Sequence, residues 1–380
     1  MKKILFMLPS LVIGGMERVQ VTIANKLADA GYDVTVMTFD EGDDLRCELS
    51  DKVRFIHKES KPFKIMRRIP YIRYKYYDNG LWETRTSAKK LYQYYVGDEH
   101  YDVEIAFFRG RAVKIISGST NKKSIKIAWV HNDFRYASGY NANFHDLNQV
   151  YEAYRRMDNV VCVSSQAREG FIEVIGDTEN LFTIYNMIPV KEILEKSKEA
   201  PRIRVNRANF HVVIVARLLD SAKGQKRLIN VIHRLYKEGK DISLALIGSG
   251  SDEQLLRHMI HQFNAEEYIT MTGNQSNPYP YIKEADLLVC ASYFEGYNLT
   301  VAEALILGVP VLSTDCTGPN EILDHGKYGM IVENSEEGLY NGLKQFVDNP
   351  DLLKEYREIA MQRQDFFNED RILCKILFMF

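Results

Sequence analysis

The sequence predicts an α/β protein of two doubly wound domains, each a parallel sheet with helices on both faces. Short apolar, β-branched runs alternate with helical patterns along the chain, and such continuous apolar runs are typical of parallel strands buried on both faces. The polar stretch 186–208 interrupts the alternation, which then begins again and so indicates a second sheet. The length of 380 residues also suits about two domains of roughly 150 residues each.

The first domain is predicted over residues 1–189. One helix is predicted over 16–30, where apolar residues recur at helical spacing before Gly31. The predicted strands are KILFML, DVTVMTF, DVEIAFF, SIKIAWV, NVVCVS and LFTIYN.

The second domain is predicted over residues 190–360. Its strands are expected at FHVVIVARL, DISLALIG, YITMTG, ADLLVCAS and VPVLST. Its first helices are expected at 224–238, 252–263 and 299–307. Residues 335–380 have helical patterns, and we expect 361–380 to form a C-terminal helix that can cross back to the first domain. Because doubly wound sheets bind ligands at the carboxyl ends of their strands, two facing sheets would hold a ligand in the cleft between them.

Composition argues against several classes of protein. The net charge of −2 gives no global attraction to nucleic acid, and no apolar run reaches the 18 or more residues that a membrane span needs. The five cysteines are scattered with no C-x-x-C pair, as expected for reduced thiols in a cytoplasm. The start of the chain imitates a signal peptide, but Pro9 and Ser10 interrupt its apolar run and no cleavage site follows.

Two cations follow the first strand of the second domain, in VARLLDSAKGQKRLI. Arg217 comes directly after the strand, and Lys223 lies just before Gly224 and a helix. A guanidinium fork and an ammonium group beside a helix N-terminus suit a polyphosphate. The alternative is a pair of solvated surface cations, since charged side chains are mostly exposed.

Glycines occupy two other strand-to-helix turns. Gly14 and Gly15 follow the first strand, and Gly248 follows DISLALI. Because glycine has no side chain, the backbone can approach an anion there. The alternative is that these glycines only permit a tight turn. Neither turn has the G-x-G-x-x-G pattern, which argues against a dinucleotide-binding dehydrogenase.

The histidines provide one candidate functional residue and no metal site. His131 follows SIKIAWV, where it can hydrogen-bond a substrate or shuttle a proton; the alternative is a structural histidine bonded to a backbone carbonyl. His258 and His261 are three apart on a predicted helix without an evident third ligand, so no zinc site is expected. The sequence also has no D-x-D pattern, and we expect no bound divalent metal.

Two glutamates mark the stretch CASYFEGYNLTVAEALILGVPVLSTDCTGPNEIL. Glu295 lies in a loop and Glu303 in the following helix. Carboxylates accept hydrogen bonds from sugar and ribose hydroxyls, so the two acids can hold two parts of one ligand. The backbone amides of Asn298 and Leu299, at the helix start, can receive a phosphate between them. The alternative for Glu303 is structural, because Thr300-x-x-Glu303 matches a capping box.

Together these motifs resemble the retaining, nucleotide-sugar-dependent glycosyltransferases of family 4, which have the GT-B fold of two Rossmann-like domains. The resemblance covers nearly the whole chain and is strongest over 210–325. Its parts are GGMERV, HND, ARLLDSAKG, LIGSGS, YITMTG and the stretch with two glutamates. One difference is Ala216, where the family often has glycine before the arginine, but Arg217 and Lys223 are both present.

The resemblance implies roles for individual residues. Glu303 would bind the ribose hydroxyls, and Glu295 would face the donor sugar. Arg217 and Lys223 would neutralise the diphosphate, and His131 would lie by the donor sugar at the reaction centre. The residues that would contribute backbone contacts are Gly15, Asn298 and Leu299 at the diphosphate, and Met271 and Gly248 at the base.

The resemblance also implies an activity. The second domain would bind a nucleoside diphosphate sugar, with a UDP-sugar favoured over GDP-mannose, and transfer its hexose or N-acetylhexosamine with retention and without a metal. The first domain would bind the acceptor, expected to be a growing bacterial surface glycan on a lipid carrier. Three alternatives remain: a transferase for a small soluble acceptor, a GT-B sugar-nucleotide epimerase that releases free UDP, and a non-catalytic sugar-nucleotide-binding subunit.

Residues 61–95 form a basic, tyrosine-rich stretch, with nine Lys or Arg against two acidic residues. Basic residues beside aromatic ones suit the interface of an anionic bilayer, and the family often uses this part of the first domain for membrane contact and acceptor binding. We therefore expect Lys64, Arg67 and Arg68 to contact the acceptor or the anionic inner face of the cell membrane, with the protein cytoplasmic and peripheral. The alternatives are a solvated helix and an RNA-binding patch.

If this stretch binds a bilayer, changing Lys64, Arg67 and Arg68 together to Ser should release the protein from anionic vesicles, because each cation near such a surface contributes about 1 kcal/mol. Rising salt should also release it, since the Debye length falls from about 10 Å at 0.1 M to about 3 Å at 1 M. Co-sedimentation with anionic vesicles, and with neutral vesicles as the control, measures both effects. A wild-type protein that stays in solution at low salt, or a variant that sediments equally well, would show that the stretch is a solvated surface.

Overall fold

A computed structural model of the chain describes residues 1–59, 81–136 and 139–380. They divide into two compact units, one of Met1–Met187 with Asp370–Phe380 and the other of Ile188–Glu369. Each unit contains a parallel sheet with the strand order of a doubly wound domain. The predicted fold class of two Rossmann-like domains is confirmed.

The first unit has a seven-stranded sheet in the order β3-β2-β1-β4-β5-β6-β7. Its strands are β1 (Lys3–Leu8), β2 (Asp33–Thr38), β3 (Arg54–His57), β4 (Val103–Ala106), β5 (Ile125–Val130), β6 (Asn159–Cys162) and β7 (Leu181–Thr183). Strand β1 pairs in parallel with both β2 and β4, so the strand order reverses beside it. Strand β3 is short and partly exposed, and no apolar run in the sequence indicates it.

Helices pack on this sheet through apolar faces. The helices of the first part of the chain are α1 (Gly15–Asp29), α2 (Leu81–Arg85), α3 (Ala88–Tyr95), α4 (Arg111–Ser117), α5 (Leu147–Arg155) and α6 (Ser165–Val174), with a 3-10 turn at Asp44–Glu48. In α1, Val19, Ile23 and Leu27 are buried at a spacing of four residues, which places them on one face of the predicted helix.

The described part of the basic stretch contributes to the core. Tyr92 and Tyr95 on α3 are each 1% exposed and pack in the main apolar cluster of the unit. These two tyrosines therefore stabilise the fold and cannot face a bilayer, unlike the exposed Lys89 and Lys90 beside them. None of the described helices is long and apolar enough to cross a membrane.

The second unit has a six-stranded sheet in the order β10-β9-β8-β11-β12-β13. Its strands are β8 (Phe210–Val215), β9 (Ile242–Ile247), β10 (Ile269–Gly273), β11 (Leu287–Cys290), β12 (Val311–Thr314) and β13 (Met330–Val332). Strand β8 pairs with both β9 and β11, so the order reverses at β8. In doubly wound domains, such a reversal opens the crevice that binds ligands, here at the carboxyl ends of β8 and β11.

The helices predicted at 224–238, 252–263 and 299–307 are confirmed. The helices of this part of the chain are α7 (Val190–Lys196), α8 (Asp220–Lys223), α9 (Gln225–Lys237), α10 (Glu253–Gln262), α11 (Tyr279–Lys283), α12 (Leu299–Ile306), α13 (Thr317–Ile322), α14 (Glu336–Asp348), α15 (Pro350–Gln362) and α16 (Glu369–Leu377), with a 3-10 turn at Gln364–Phe367. Leu228, Ile232 and Leu235 of α9 are fully buried against the sheet.

The last residues of the chain pack on the first unit. The rings of Phe380 and Tyr32 meet edge to face, with centroids 5.9 Å apart. Lys2 Nζ donates to the Phe380 carbonyl at 3.2 Å, and Asn159 Nδ2 donates to the Met379 carbonyl at 3.3 Å. These contacts attach the C-terminus to β1, β6 and the loop before β2.

Candidate active site

The candidate site lies in the second unit, where two loops leave neighbouring strands. The loop after β8 carries Arg217 and leads through α8 to Lys223, and the loop after β11 carries Glu295. Because β8 and β11 pair in parallel, their carboxyl ends are at the same edge of the sheet. Lys223 and Glu295, which lie a few positions beyond the ends of these two strands, thus come together although they are far apart in sequence.

A buried ion pair joins the two loops. Lys223 Nζ lies 2.5 Å from Glu295 Oε1, and the side chains are 24% and 9% exposed. Burial by itself would lower the pKa of Lys223, but the charge and hydrogen bond of the Glu295 carboxylate raise it above the ordinary lysine value. Lys223 is therefore a cation held at a fixed position throughout the physiological pH range.

One oxygen of the Glu295 carboxylate accepts all the hydrogen bonds that it receives from described side chains. Oε1 accepts from Lys223 Nζ at 2.5 Å, from Ser292 Oγ at 2.6 Å and from Asn298 Nδ2 at 3.1 Å. Within the described ranges Oε2 accepts none, so it is the oxygen that a ligand hydroxyl can reach. One oxygen of the carboxylate is therefore held by three donors, and the other keeps its capacity to accept hydrogen bonds.

The residue that caps α12 is not the one that a capping box of Thr300 and Glu303 would require. Asn298 is the N-cap, and its Oδ1 accepts from the Val301 backbone N–H at 3.2 Å. Thr300 already lies within the helix, and its hydroxyl donates to Asn298 Oδ1 at 2.8 Å. A capping box formed by Thr300 and Glu303 is therefore wrong, because the helix begins earlier than that pattern requires. Glu303 lies in the middle of α12, where it is only 7% exposed.

Sequence reasoning missed the residue that supports the loop after β11. Arg227 on α9 is 5% exposed, and its guanidinium donates to the carbonyls of Ala291 at 2.6 Å and Ser292 at 3.0 Å. It also donates to Asn334 Oδ1 at 2.8 Å, and Asn334 Nδ2 donates to the Tyr293 carbonyl at 3.0 Å. The planar fork of arginine suits several carbonyls at once. An arginine in an amphipathic helix carries no sequence signal that it is buried.

A second set of contacts ties the same loop to β12 and α13. The Thr314 hydroxyl donates to the Ser292 carbonyl at 2.6 Å, and the Thr317 hydroxyl donates to the Glu295 carbonyl. A Cβ at Gly318 would lie 2.7 Å from the Tyr297 Cα, so only glycine allows α13 to pack this closely. These contacts hold the backbone of Glu295 in addition to those that Arg227 makes with Ala291 and Ser292.

Two glycines permit close backbone contacts beside the cations. Gly224 has φ +64°, and a Cβ there would lie 2.2 Å from the Ala291 carbonyl oxygen. Gly248 has φ +141°, and a Cβ there would lie 2.0 Å from the carbonyl oxygen of Ala216. Both sites require glycine, since side chains rarely adopt these conformations and no space is present. Gly248 therefore has a packing reason to be glycine, besides any contact with a ligand.

The other predicted residues of this unit are arranged around the ion pair. Arg217 is exposed directly after β8, and its carbonyl accepts from Gln225 Nε2 at 2.8 Å. Its guanidinium makes no ion pair with any described residue. Met271 is half-buried in β10, and Leu299 is the half-buried first residue of α12. The structure thus offers one cation held in place by an ion pair and a second on an exposed side chain.

Two buried thiols lie beside the glutamate. Asn298 Nδ2 donates to Cys290 Sγ at 3.2 Å, and Cys316 is the residue that precedes α13. A hydrogen bond from the Cys316 thiol lowers the pKa of Cys290, and the same contact together with burial raises the pKa of Cys316. All five cysteines are free thiols.

Two predicted site residues belong to the first unit. Gly15 is the first residue of α1, just after the β1 loop, and His131 follows β5. The rings of His131 and Phe107 lie 4.6 Å apart. Burial lowers the pKa of His131 to about 3, a hydrogen bond with the Phe107 backbone opposes the shift, and the Arg109 charge adds to it. His131 is therefore neutral at physiological pH. Its hydrogen bond with the Phe107 backbone is the contact expected if His131 is a structural histidine.

The remaining predictions for the site concern membrane contact and metals. Lys64, Arg67 and Arg68 lie outside the described residues. In the ranges that the structure describes, no group of three or more His, Cys, Asp or Glu side chains is placed to hold a metal ion.

Two family descriptions match the chain, one in each half. Residues 13–192 match "Glycosyltransferase Family 4". Residues 195–363 match "Glycosyl transferases group 1". The two matches meet near the start of the second unit.

Individual proteins resemble the chain over half or all of its length. An uncharacterized glycosyltransferase of Haemophilus influenzae is 25% identical over 376 residues, which is 98% of each chain. The N-acetylgalactosamine-N,N'-diacetylbacillosaminyl-diphospho-undecaprenol 4-alpha-N-acetylgalactosaminyltransferase of Campylobacter jejuni is 29% identical over 191 residues, 50% of each chain.

Solved structures match the fold of the whole chain. The crystal structure of Anabaena Alr3699/HepE with UDP and glucose has a TM-score of 0.74, covers 99% of this chain and 98% of that one, and is 19% identical. At that identity the likeness concerns the fold. Both halves match glycosyltransferase descriptions, and both sheets have the strand order of a doubly wound domain. The chain therefore belongs to the family 4 glycosyltransferases, enzymes with the GT-B fold.

Proposed function

We propose that the chain is a retaining glycosyltransferase that moves a hexose or N-acetylhexosamine from a UDP-sugar to a growing, lipid-linked glycan. The observation that carries this proposal is the Lys223–Glu295 pair, 2.5 Å apart at the reversal point of the second sheet. A nucleotide sugar presents a diphosphate and a hydroxylated ring joined by one bond. A fixed cation suits the diphosphate, and a carboxylate beside it with one oxygen free of side-chain donors suits the hydroxyls of the ring.

The diphosphate is expected to bind Lys223, Arg217 and the N-terminus of α12. Negative charge grows on the departing phosphate while the sugar becomes oxocarbenium-like. Fixed cations and a helix N-terminus directed at that charge stabilise the transition state. Because Lys223 is bound to Glu295, an arriving phosphate competes with the carboxylate for the lysine. The lysine then has an anionic partner both before and after the phosphate binds, so its charge is never left unpaired.

The sugar and the nucleoside are expected to bind the two glutamates. Glu295 Oε2 would accept from a hydroxyl of the donor sugar, and the buried Glu303 would accept from the ribose hydroxyls. The base would lie against backbone near Met271 and Gly248. In this scheme the departing phosphate assists the incoming hydroxyl on the same face of the sugar, which retains the configuration without a bond between the sugar and an enzyme carboxylate.

The first unit is expected to bind the acceptor. His131 would contact the donor sugar as a neutral hydrogen-bonding group, since its pKa of about 3 excludes a positive charge at neutral pH. Backbone at Gly15 would contribute to the diphosphate. We expect no metal cofactor, because Arg217 and Lys223 already supply the positive charge that the leaving group needs.

Names of similar proteins support the choice of donor and acceptor. The Anabaena protein was crystallised with UDP and glucose, which supports a UDP-sugar. The name of the Campylobacter enzyme includes a diphospho-undecaprenol glycan, which supports a lipid-linked acceptor. An acceptor of this kind would bring the enzyme to the inner face of the membrane, where Lys64, Arg67 and Arg68 are the proposed contacts.

The two glutamates should affect donor binding differently. Glu303→Ala should weaken UDP binding about tenfold to a hundredfold, the usual effect of losing a hydrogen bond to a charged group. Glu295→Ala should not weaken UDP binding, because UDP carries no donor sugar and the substitution removes a carboxylate that competes with phosphate for Lys223, but it should greatly slow transfer. Isothermal titration with UDP, together with turnover of the UDP-sugar, separates the two roles. Equal losses of UDP affinity in both variants would show that the assignment is wrong.

The two cations should affect the chemical step. Arg217→Ala and Lys223→Ala should each lower kcat by about 10²-fold or more, as expected when one preorganised charge partner is lost. Lys223→Ala should also lower thermal stability, because it leaves Glu295 buried without its cation, so kcat is measured well below the melting temperature. Lys226→Ala is the matched control, since Lys226 pairs with Asp220 at 3.7 Å and not with Glu295. A near-normal kcat in both Arg217→Ala and Lys223→Ala would rule out the assignment of these two cations to the diphosphate.

A further inference from the structure

The side chain of Asn298 connects two parts of the site that the proposed mechanism uses separately. Its Oδ1 caps α12 by accepting from the Val301 backbone N–H at 3.2 Å. Its Nδ2 donates to Glu295 Oε1 at 3.1 Å. One amide group therefore spans the distance from the helix start, proposed for the phosphate, to the carboxylate proposed for the sugar.

The chemistry of its partners determines the orientation of this amide. A backbone N–H can only donate, so the atom facing Val301 must be the oxygen. An ionised carboxylate can only accept, so the atom facing Glu295 must be the nitrogen. The Thr300 hydroxyl reinforces the arrangement by donating to the same Oδ1 at 2.8 Å. The amide cannot flip without losing bonds at both ends.

The bond from Asn298 also helps to set the orientation of the Glu295 carboxylate. The last torsion of a glutamate is broad and roughly two-fold, so by itself it does not fix the plane of the carboxylate. Lys223 and Ser292 place two donors on Oε1, and Asn298 adds a third. Of the three, only Asn298 is anchored to a helix cap, which keeps its donor in one place.

We propose that Asn298 is a positioning residue whose side-chain amide holds Glu295 so that Oε2 points to the donor sugar, in register with the phosphate at the start of α12. This inference rests on the proposed function and adds to it a side-chain role, whereas the predicted role of Asn298 was a backbone contact. The consequence is that Asn298 affects the recognition and transfer of the sugar, although it does not touch the reacting atoms.

The experiment compares three substitutions at Asn298. Asn298→Ser and Asn298→Asp keep a side-chain oxygen that can cap the helix, but they lose the amide N–H group that donates to Glu295. Asn298→Ala loses both the cap and the amide donor. With Ser, kcat should fall about tenfold to a hundredfold, the usual effect of losing a hydrogen bond to a charged group. Affinity for UDP should stay within about threefold, and the extra affinity for the UDP-sugar over UDP should disappear, as calorimetry can measure without turnover.

Asn298→Asp provides a readout that a purely structural role would not change. Two carboxylates this close cannot both ionise freely, so the pKa of one of them is raised, and the protonated form again donates to Glu295 Oε1. The kcat of this variant should therefore rise as the pH is lowered, whereas that of Asn298→Ser should not. The other titratable and charged groups around this amide are Lys223, Cys290, Cys316 and Glu303. Because wild type and Asn298→Ser contain the same groups, the difference between their pH profiles and that of Asn298→Asp isolates the new carboxylate.

Asn349 offers a matched control, since it caps α15 by accepting from the Leu352 N–H at 3.3 Å. Asn349→Ser and Asn349→Asp should lower the melting temperature about as much as the same changes at Asn298 and leave kcat unchanged. Normal kcat and a normal preference for UDP-sugar over UDP in Asn298→Ser would overturn the inference. A wild-type protein that transfers no sugar from any nucleoside diphosphate sugar would instead refute the proposed function, and the inference with it.

Discussion

One carboxylate oxygen, Oε1 of Glu295, connects the three segments that form the candidate site. Lys223 reaches it from the end of α8, Ser292 from the end of β11, and Asn298 from the start of α12. A buried ion pair is stable only when geometry and hydrogen bonds repay the loss of water. Here Ser292 and Asn298 add hydrogen bonds to the carboxylate, and Arg227 and Thr314 hold the carbonyl of Ser292 in the same loop. The site is thus preorganised by the fold.

The reversal of strand order explains why such a site can form at all. Parallel strands on either side of the reversal send their connections to opposite faces of the sheet, which leaves a crevice between the loops that follow them. Strands β8 and β11 are neighbours at this point, although β9 and β10 lie between them in sequence. Glycines then allow the loops to touch, as at Gly224 against the Ala291 carbonyl. The cation and the carboxylate are brought together by topology and by close backbone packing.

Much of this could be predicted from sequence, and the failures have physical causes. Long apolar runs identify the buried central strands, but β3 and β13 are short and partly exposed and leave no such pattern. Motif spacing predicts Glu295 and Lys223 as functional residues, and the structure places them in contact. Arg227 was missed because its burial depends on loops distant in sequence. The capping box failed because Asn298 caps the helix before Thr300 can do so.

Lys223, held by Glu295, is proposed to bind the diphosphate of the donor. The ratio of UDP to UMP affinity in the wild type and in Lys223→Met, measured by calorimetry, tests this role. UDP and UMP differ only by the terminal phosphate, and a general loss of folding would weaken both and leave their ratio unchanged. We expect the wild type to prefer UDP by about tenfold or more, roughly 1.4 kcal/mol, and Lys223→Met to lose most of that preference and keep only the part that Arg217 and the start of α12 supply. A preference for UDP that survives intact in Lys223→Met would show that Lys223 does not bind the diphosphate.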